Sequence, residues 1–518
     1  NLLGAAIEGA SGLPYGEYIR TRIFEPLGLA DSRLDDPQAI IPHRVRGYHI
    51  VKGELRNSEY VDVSSRFAAG GTRSTVPDLL KYARGILDRK ILKESTWREM
   101  FSSLILRSGV MTEYGLGWAV RPWNGHFAVD HGGAQPETRT QLLILPGEDF
   151  AVAIACNLEG ADLMPYVRRL ADLVLDEESH ISAYTPVRTR QPIFQAVSSA
   201  YDYGLSQYSW NRSPLSLGRD EIDDSFDYFN DCVAEKNLEK DFEKARKKIL
   251  AGIHPSSKQA LTRVGSYMAW ALAGEGGEEA LRAYHRGGPI AFFCDYIRLS
   301  EAGSSPKRHP RFSGEFCGLL EEWEKDWTKT HSEETRRLIV TPGTEFESVL
   351  PRIKETFAGA SIFPDLGPDL ERAAEYFLKK EDTEKAATIL GLAREVYPES
   401  ASLAAALGYV LVWRGNPEEA KRLYHEVRDL DPAEPALKPD QFIASMRQLF
   451  QDDKVREAED LGLIAVDLSP KEPILHVALG DLIILGGRKD EAAEYYRRAL
   501  RIDPNFADAK ARLKSLQK

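Results

Sequence analysis

The stretch VDHGGAQPETRTQLLILPGEDFAVAIACN, Val129–Asn157, sets apolar runs between turn residues. "TQLLILP" and "DFAVAIACN" are short, aliphatic and bounded by Pro, Gly and Asp, which is the pattern of strands. Just upstream, "YGLGWAV" and "HFAVDH" have the same character. A run of antiparallel strands flanked by helices is an α+β layout. His131-Gly132-Gly133 falls at a strand edge, where glycines let another backbone or a ligand approach closely. By itself such a histidine reads more readily as a structural or simply exposed residue than as a catalytic one.

Outward from this stretch, Leu2, Leu3, Ala6 and Ile7 form one apolar helical face, and Gly12 is placed to end that helix. A second helix covers "YGEYIRTRIF" and is expected to stop before Pro26. Gly70-Gly71 marks a tight turn. Thr75 is the N-cap of a third helix, with Asp78 three residues on and Leu79, Leu80, Ala83 and Ile86 as its buried stripe. The helix "ADLMPYVRRLADLVLDE" closes the region at about residue 176.

With 518 residues the chain is too long for one hydrophobic core. Its net charge of -12, without a Lys/Arg cluster, argues against a nucleic-acid partner. The four cysteines Cys156, Cys232, Cys294 and Cys317 show no C-x-x-C spacing, so no zinc ribbon or redox motif is indicated. Cys156 lies in an apolar run and reads as a small buried hydrophobe. No run approaches the roughly 20 apolar residues of a membrane span.

Residues 177–364 read as mostly helical, with no function legible. "DCVAEKNLEKDFEKARKKILAGI" is charged and amphipathic. "QALTRVGSYMAWALAGEGGEEALRAYHRGGPIAFFCDYI" reads as two packed helices around a glycine break, with Leu261, Val264, Met268, Ala271 and Leu272 on one face. His254 and His285 lack any metal-ligand spacing and are expected as helix-surface or cap residues, so no metal is implied.

Residues 365–518 repeat. Pro398, Pro432, Pro470 and Pro504 are 34, 38 and 34 residues apart. Ala386, Ala420, Ala458 and Ala492 fall twelve residues before those prolines, and Ala393, Val427, Ala465 and Ala499 fall five before. A period of about 34 with small residues where two helices touch is the tetratricopeptide signature. The third unit carries Met446 and Gly462 where Gly and Tyr are typical. "FADAKARLKSLQK" is then a capping helix, and the concave face of the solenoid is expected to hold a protein or peptide partner.

In chain order, "NLLGAAIEGASGLPYGEYIRTRIFEPLGLADS", "AAGGTRSTVPDLLKYARGIL", "YGLGW", "HGG" and "LLILPGEDFAVAIACN" resemble the C-terminal part of the serine β-lactamase-like hydrolases, a family that covers class C β-lactamases, DD-peptidases and esterases. The resemblance spans residues 1–176. It implies an α+β, penicillin-binding-protein-like domain, cut to its C-terminal part, before the all-α middle region and the tetratricopeptide solenoid. It also implies acyl-serine chemistry on a peptide, β-lactam or ester, with no cofactor. In that family a Ser-x-x-Lys motif supplies nucleophile and lysine, a Tyr-x-Asn motif a second proton-transfer group, and a Lys-Thr-Gly or His-x-Gly motif the strand beside the substrate. By this match His131 stabilises developing charge or assists proton transfer. Gly132 and Gly133 let substrate pair with the strand, and the Ala134 amide is an oxyanion donor. Family habit points to a bacterial envelope.

The first two motifs are missing ahead of His131. Ser-x-x-Lys strings at Ser304 and Ser515 stand in a polar loop and in the repeat tail, far from the family position, and Ser74 reads as part of a helix start with no lysine base nearby. The chain is therefore expected to be the later part of such a hydrolase, inactive alone. The alternative expectation is a non-catalytic scaffold whose repeats bind a partner and whose hydrolase remnant is structural.

Overall fold

The computed structural model describes residues 1–36, 38–51, 54–59, 67–104, 106, 112–136, 138–175, 183–187, 189–211, 218–253, 259–302, 309–331 and 345–516. The chain forms two compact units, Asn1–His180 with Thr189–Lys325, and Ile181–Arg188 with Asp326–Lys518.

The first unit opens with α1 (Leu2–Ser11), which ends on Gly12 at φ 70°, a left-handed cap that glycine adopts without a Cβ clash. The apolar face expected of this helix is not its buried one. Leu2 and Leu3 are 90% and 82% exposed, whereas Gly4 is buried. α2 (Tyr15–Ile19) runs through a π-helical turn at Arg20–Phe24 into α3 (Glu25–Leu27). Pro26 therefore does not stop the helix. It occupies the first turn of α3, where no amide hydrogen is needed, and Gly28 at φ 67° makes the stop. Two short ribbons follow, β1 (Arg33–Leu34) with β4 (Thr72–Arg73) and β2 (Tyr48–Val51) with β3 (Glu54–Asn57). α4 (Val76–Leu87) starts as the sequence indicates, its Thr75 side chain accepting the Asp78 amide. Ala83 and Ile86 are buried, while Leu80 is exposed at the surface. α5 (Glu94–Met100) precedes the main sheet.

That sheet is a four-stranded antiparallel meander of β5 (Ala119–Trp123), β6 (His126–Gln135), β7 (Thr138–Leu145) and β8 (Phe150–Cys156) in sequential order. Side chains alternate across it with period two. Val129, Leu142 and Ile144 pack with Ala83, Ile86, Trp97, Phe101 and Trp118 on one face. Ala128, Leu143, Leu145 and Val152 pack with Val167 and Ala171 of α6 (Met164–Leu175) on the other. "YGLGW" is not a strand, because Tyr114–Gly117 form a turn that leads into β5. Cys156 is only half-buried, its sulfur accepting the Leu158 amide at 3.4 Å.

α6 also carries an outward stripe. Tyr166, Leu170, Leu173 and Val174 are exposed although the opposite side of the helix is fully buried. An apolar stripe of this kind binds hydrophobic probes. An anilinonaphthalene dye is expected to fluoresce with the chain, and Leu170→Glu with Leu173→Glu to reduce the signal at unchanged thermal midpoint. Undiminished fluorescence would place the patch elsewhere.

The helical part of this unit holds α7 (Arg190–Asn211), α8 (Arg219–Val233), α9 (Glu235–Lys240), α10 (Phe242–Gly252), α11 (Ala260–Glu301) and α12 (Gly314–Thr330), the last crossing the boundary between units. α11 breaks at Gly277 and Gly288, at φ 75° and 72°, so it has two breaks where the sequence suggests one. Leu261, Val264, Met268, Ala271 and Leu272 are buried as expected. α7 and α11 touch backbone to backbone. A Cβ on Gly265 would lie 1.7 Å from the Ala200 carbonyl oxygen.

α7 also packs on the sheet, where Trp210 stacks on Phe127 at 4.5 Å. Around the β5–β6 turn lies a polar joint. Asn124 Nδ2 donates to the His285 carbonyl at 2.7 Å, and His285 Nδ1 lies 2.7 Å from the Asn124 carbonyl. The His285 ring stacks on His126 at 3.8 Å, and His126 Nδ1 is 3.1 Å from Glu148. His285 is thus a buried joint residue rather than a surface or cap histidine, and His254 lies outside the described residues.

In the second unit β9 (Ala183–Tyr184) pairs with β10 (Phe363–Pro364), and helices from Gly367 to Leu516 run as successive antiparallel pairs. The eight small residues that mark the period are all fully buried. Gly408 and Gly480 receive the rings of Tyr424 and Tyr496 from the paired helix. The third unit reverses this contact, with the Met446 methyl placed over Gly462. The pair of deviations is one exchange, with the large and the small residue trading sides of the same helix contact.

Candidate active site

β6 is paired on both sides only at Val129 and Asp130. β5 matches it from Trp123↔His126 to Ala119↔Asp130, whereas β7 matches it from Val129↔Ile144 to Gln135↔Thr138. Among the described strands none pairs with His131–Gln135 on the side away from β7. Alternate residues of an antiparallel strand turn their N–H and C=O to opposite sides. This half-strand therefore offers a short hydrogen-bonding edge.

The sequence keeps that edge low. Gly132 lies opposite Gln141 and Gly133 opposite Thr140. A Cβ at Gly132 would come 2.7 Å from Gln141 Oε1, and one at Gly133 would come 2.3 Å from Thr140 Oγ1. Partner side chains fill the space that side chains at 132 and 133 would need. Ala134 follows, opposite Arg139, and is exposed.

His131 is exposed and shares the sheet face of Val129. Its Nε2 is 3.1 Å from the Tyr114 hydroxyl, the two rings lying edge to face at 6.4 Å. At the far end, Gln135 Nε2 donates to the Gly70 carbonyl at 3.3 Å. The Gly70-Gly71 turn, the "YGLGW" tyrosine and His-Gly-Gly, which are distant in sequence, thus meet along one strand. Sequence reasoning placed His131, Gly132, Gly133 and Ala134 on a strand and missed Tyr114 as a partner. Its motif is legible in the sequence, but nothing in the spacing says that the turn folds back on His131.

Ser74 is held by other partners. Its hydroxyl is 2.8 Å from that of Ser32, and Ser32 donates to Asp78 Oδ2 at 2.9 Å. The Asp31 amide donates to the same oxygen, and Lys81 Nζ to Asp78 Oδ1 at 2.9 Å. A lysine is therefore nearer than the sequence suggests, one helical turn past the buried Asp78. It is engaged as a cation. Burial pushes the Asp78 carboxyl up, but the Lys81 ammonium, the Ser32 hydroxyl and the Asp31 amide outweigh it and hold the group below the usual carboxylate range. The cluster ties the turn before β1 to the start of α4. Ser515 lies in the second unit with its hydroxyl on the Arg512 carbonyl, and Ser304 is outside the described residues.

Among the described residues no cluster of three or more His, Cys, Asp or Glu side chains could hold a metal ion, and no helix is long and apolar enough to cross a membrane.

Residues 1–176 match the Beta-lactamase family model, and residues 447–507 match a Tetratricopeptide repeat model. A penicillin-binding protein of Bacillus subtilis is 28% identical over 156 residues, which is 27% of this chain and 34% of the relative. The mitochondrial serine beta-lactamase-like protein LACTB of Homo sapiens is 39% identical over 87 residues, 17% of this chain and 16% of the relative. The chain thus spans about a third or less of the length of these curated relatives. The solved octameric penicillin-binding protein homologue of Pyrococcus abyssi shares 26% identity over 34% of this chain and 41% of that one, with a TM-score of 0.30. Residues 1–176 are thus similar to beta-lactamases and penicillin-binding proteins, and residues 447–507 to tetratricopeptide repeats.

Proposed function

We propose that the beta-lactamase-family stretch at residues 1–176 is the substrate-facing wall of a site that works by acyl-serine chemistry on a peptide, β-lactam or ester. The observation that carries this reading is the half-paired strand His131–Gln135, with a histidine at its head and two glycines behind it. An extended acyl substrate adds to such an edge by main-chain hydrogen bonds. In this reading Gly132 and Gly133 admit the substrate backbone, and the Ala134 amide supports the oxyanion. One fixed donor of that kind contributes about 3–4 kcal/mol to the transition state. His131 stabilises developing charge or moves a proton beside the reacting carbonyl.

In residues 1–176 no serine has a lysine three positions on. The tetratricopeptide repeat match supports a second reading, in which the stretch is structural and the tetratricopeptide domain acts, holding a protein or peptide segment on its concave face. One pair of measurements separates the two. The 518-residue chain is expected to take no label from a fluorescent penicillin or a fluorophosphonate, and a single stoichiometrically labelled serine would overturn that expectation. In a form of the protein that turns over a chromogenic ester, His131→Ala is expected to lower kcat/KM by about 10²-fold without moving the thermal midpoint. Unchanged turnover would remove His131 from the chemistry and leave the scaffold reading.

A further inference from the structure

One of the contacts between the helices that follow the sheet region and the candidate wall leads towards His131. Tyr203 on α7 donates its hydroxyl proton to Glu113 Oε1. Glu113 is a non-glycine residue at φ 52°, a left-handed conformation that costs on the order of 1 kcal/mol and persists only where its surroundings enforce it. The bond to α7 is one such restraint. Two backbone bonds are others, Val120 N to the Glu113 carbonyl at 2.8 Å and Leu104 N to the Tyr114 carbonyl at 2.9 Å. The next side chain along is Tyr114, whose hydroxyl meets His131 Nε2. α7 is itself a firm anchor here, because Gly204, adjacent to Tyr203, is in backbone contact with α11.

An exposed neutral imidazole can exchange its proton between two nitrogens through water. A hydrogen bond to one nitrogen settles which carries it. We propose that Tyr203 is a positioning residue: acting through Glu113 and Tyr114, it holds the His131 imidazole as the Nδ1–H tautomer, with Nε2 accepting from the Tyr114 hydroxyl. Burial and the adjoining Glu113 carboxylate both push the Tyr203 hydroxyl well up, so it keeps its proton and stays a donor. The helical region, silent in the sequence, thereby prepares a side chain of the sheet. The functional weight of this relay rests on the reading of His131 as part of the hydrolase site.

The test reads the ring itself. The whole chain, with its 11 histidines labelled with nitrogen-15, is recorded by long-range proton–nitrogen correlation at a pH where the imidazoles are neutral. His131→Gln identifies the His131 signals by their loss. The Nδ1–H pattern is expected in the parent chain. Tyr114→Phe is expected to convert it to mainly Nε2–H, and Tyr203→Phe to move it at least halfway in the same direction. Glu113→Gln, which retains an acceptor for Tyr203, is expected to keep the parent pattern, while the buried His126 and His285 signals stay in place as a control for folding. An Nε2–H pattern in the parent chain would overturn the proposal, as would a His131 signal indifferent to Tyr203→Phe. If Tyr203→Phe does not fold, Glu113→Ala cuts the same link from the loop side and is judged by the same outcomes. Tautomer and turnover are independent readouts, so failure of the relay is distinguishable from failure of the hydrolase reading, which His131→Ala decides.

Discussion

Gly265→Ala is expected to destabilise the first unit by more than about 3 kcal/mol. The added methyl carbon would lie 1.7 Å from the Ala200 carbonyl oxygen, 2.7 Å from its carbon and 3.0 Å from Gly204 Cα. All three are main-chain atoms of α7, so no side chain can turn aside. The two helices would have to separate along the face that buries Tyr201, Leu205, Val264 and Met268. Gly274→Ala in the same helix is the control. Nothing lies within 4 Å of its added carbon, and it should be neutral or stabilising by up to about 1 kcal/mol. Urea denaturation followed by circular dichroism compares the two. Equal midpoints would mean that α7 and α11 do not meet through these glycines.

The second large effect depends on pH. Asp202 on α7 accepts the Gly125 amide at 3.2 Å beside the joint at the β5–β6 turn. Burial pushes its carboxyl up to about 7, with the Gly125 amide and the Ser198 hydroxyl drawing it only partly back. In the unfolded chain the group titrates near the ordinary value of about 3.9. Between roughly pH 4 and 7 the folded form thus holds a proton that the unfolded form has released, so stability falls as pH rises through that window. Above pH 7 the full cost, on the order of 2–4 kcal/mol, is in place. Glu148 acts in the opposite sense. The hydrogen bond from His126 holds it below its ordinary range against the pull of burial, so its contribution is lost only as pH falls through its folded value. Asp202→Asn keeps an acceptor for Gly125 and removes the titration. It should raise the thermal midpoint at pH 8 and flatten the pH dependence between 4 and 7. A parallel pH profile for variant and parent would show that Asp202 does not titrate in this window.

Much of the repeat domain was legible because a solenoid is nearly one-dimensional. Each helix pair meets only its neighbours, so the constraint that two helices approach closely recurs at a near-regular interval and prints itself as small residues every 34 to 38 residues. Even the odd unit follows this logic, since there the large residue, Met446, and the small one, Gly462, have traded sides of the helix contact. The strands of the sheet were legible for the same local reason, as period-two burial leaves short apolar runs between turns. Gly12 and Thr75 declared their helix ends through backbone conformation and capping, both local effects.

Neighbours along the chain set element type, caps, repeat period, and the strand that carries His131, Gly132, Gly133 and Ala134, and these are readable from the residues alone. The tertiary structure alone decided the contacts whose partners are far apart. It ends the β5–β6 pairing at Ala119↔Asp130 and so bares the edge at His131. It turns Tyr114 onto His131, brings Lys81 to a buried Asp78, and puts His285, which reads as a surface residue, against His126. The physical reason is that a hydrogen bond or stacked pair between distant residues leaves no periodic trace. Either partner alone has the composition of an ordinary turn, cap or helix surface, and only folding brings the second partner within reach.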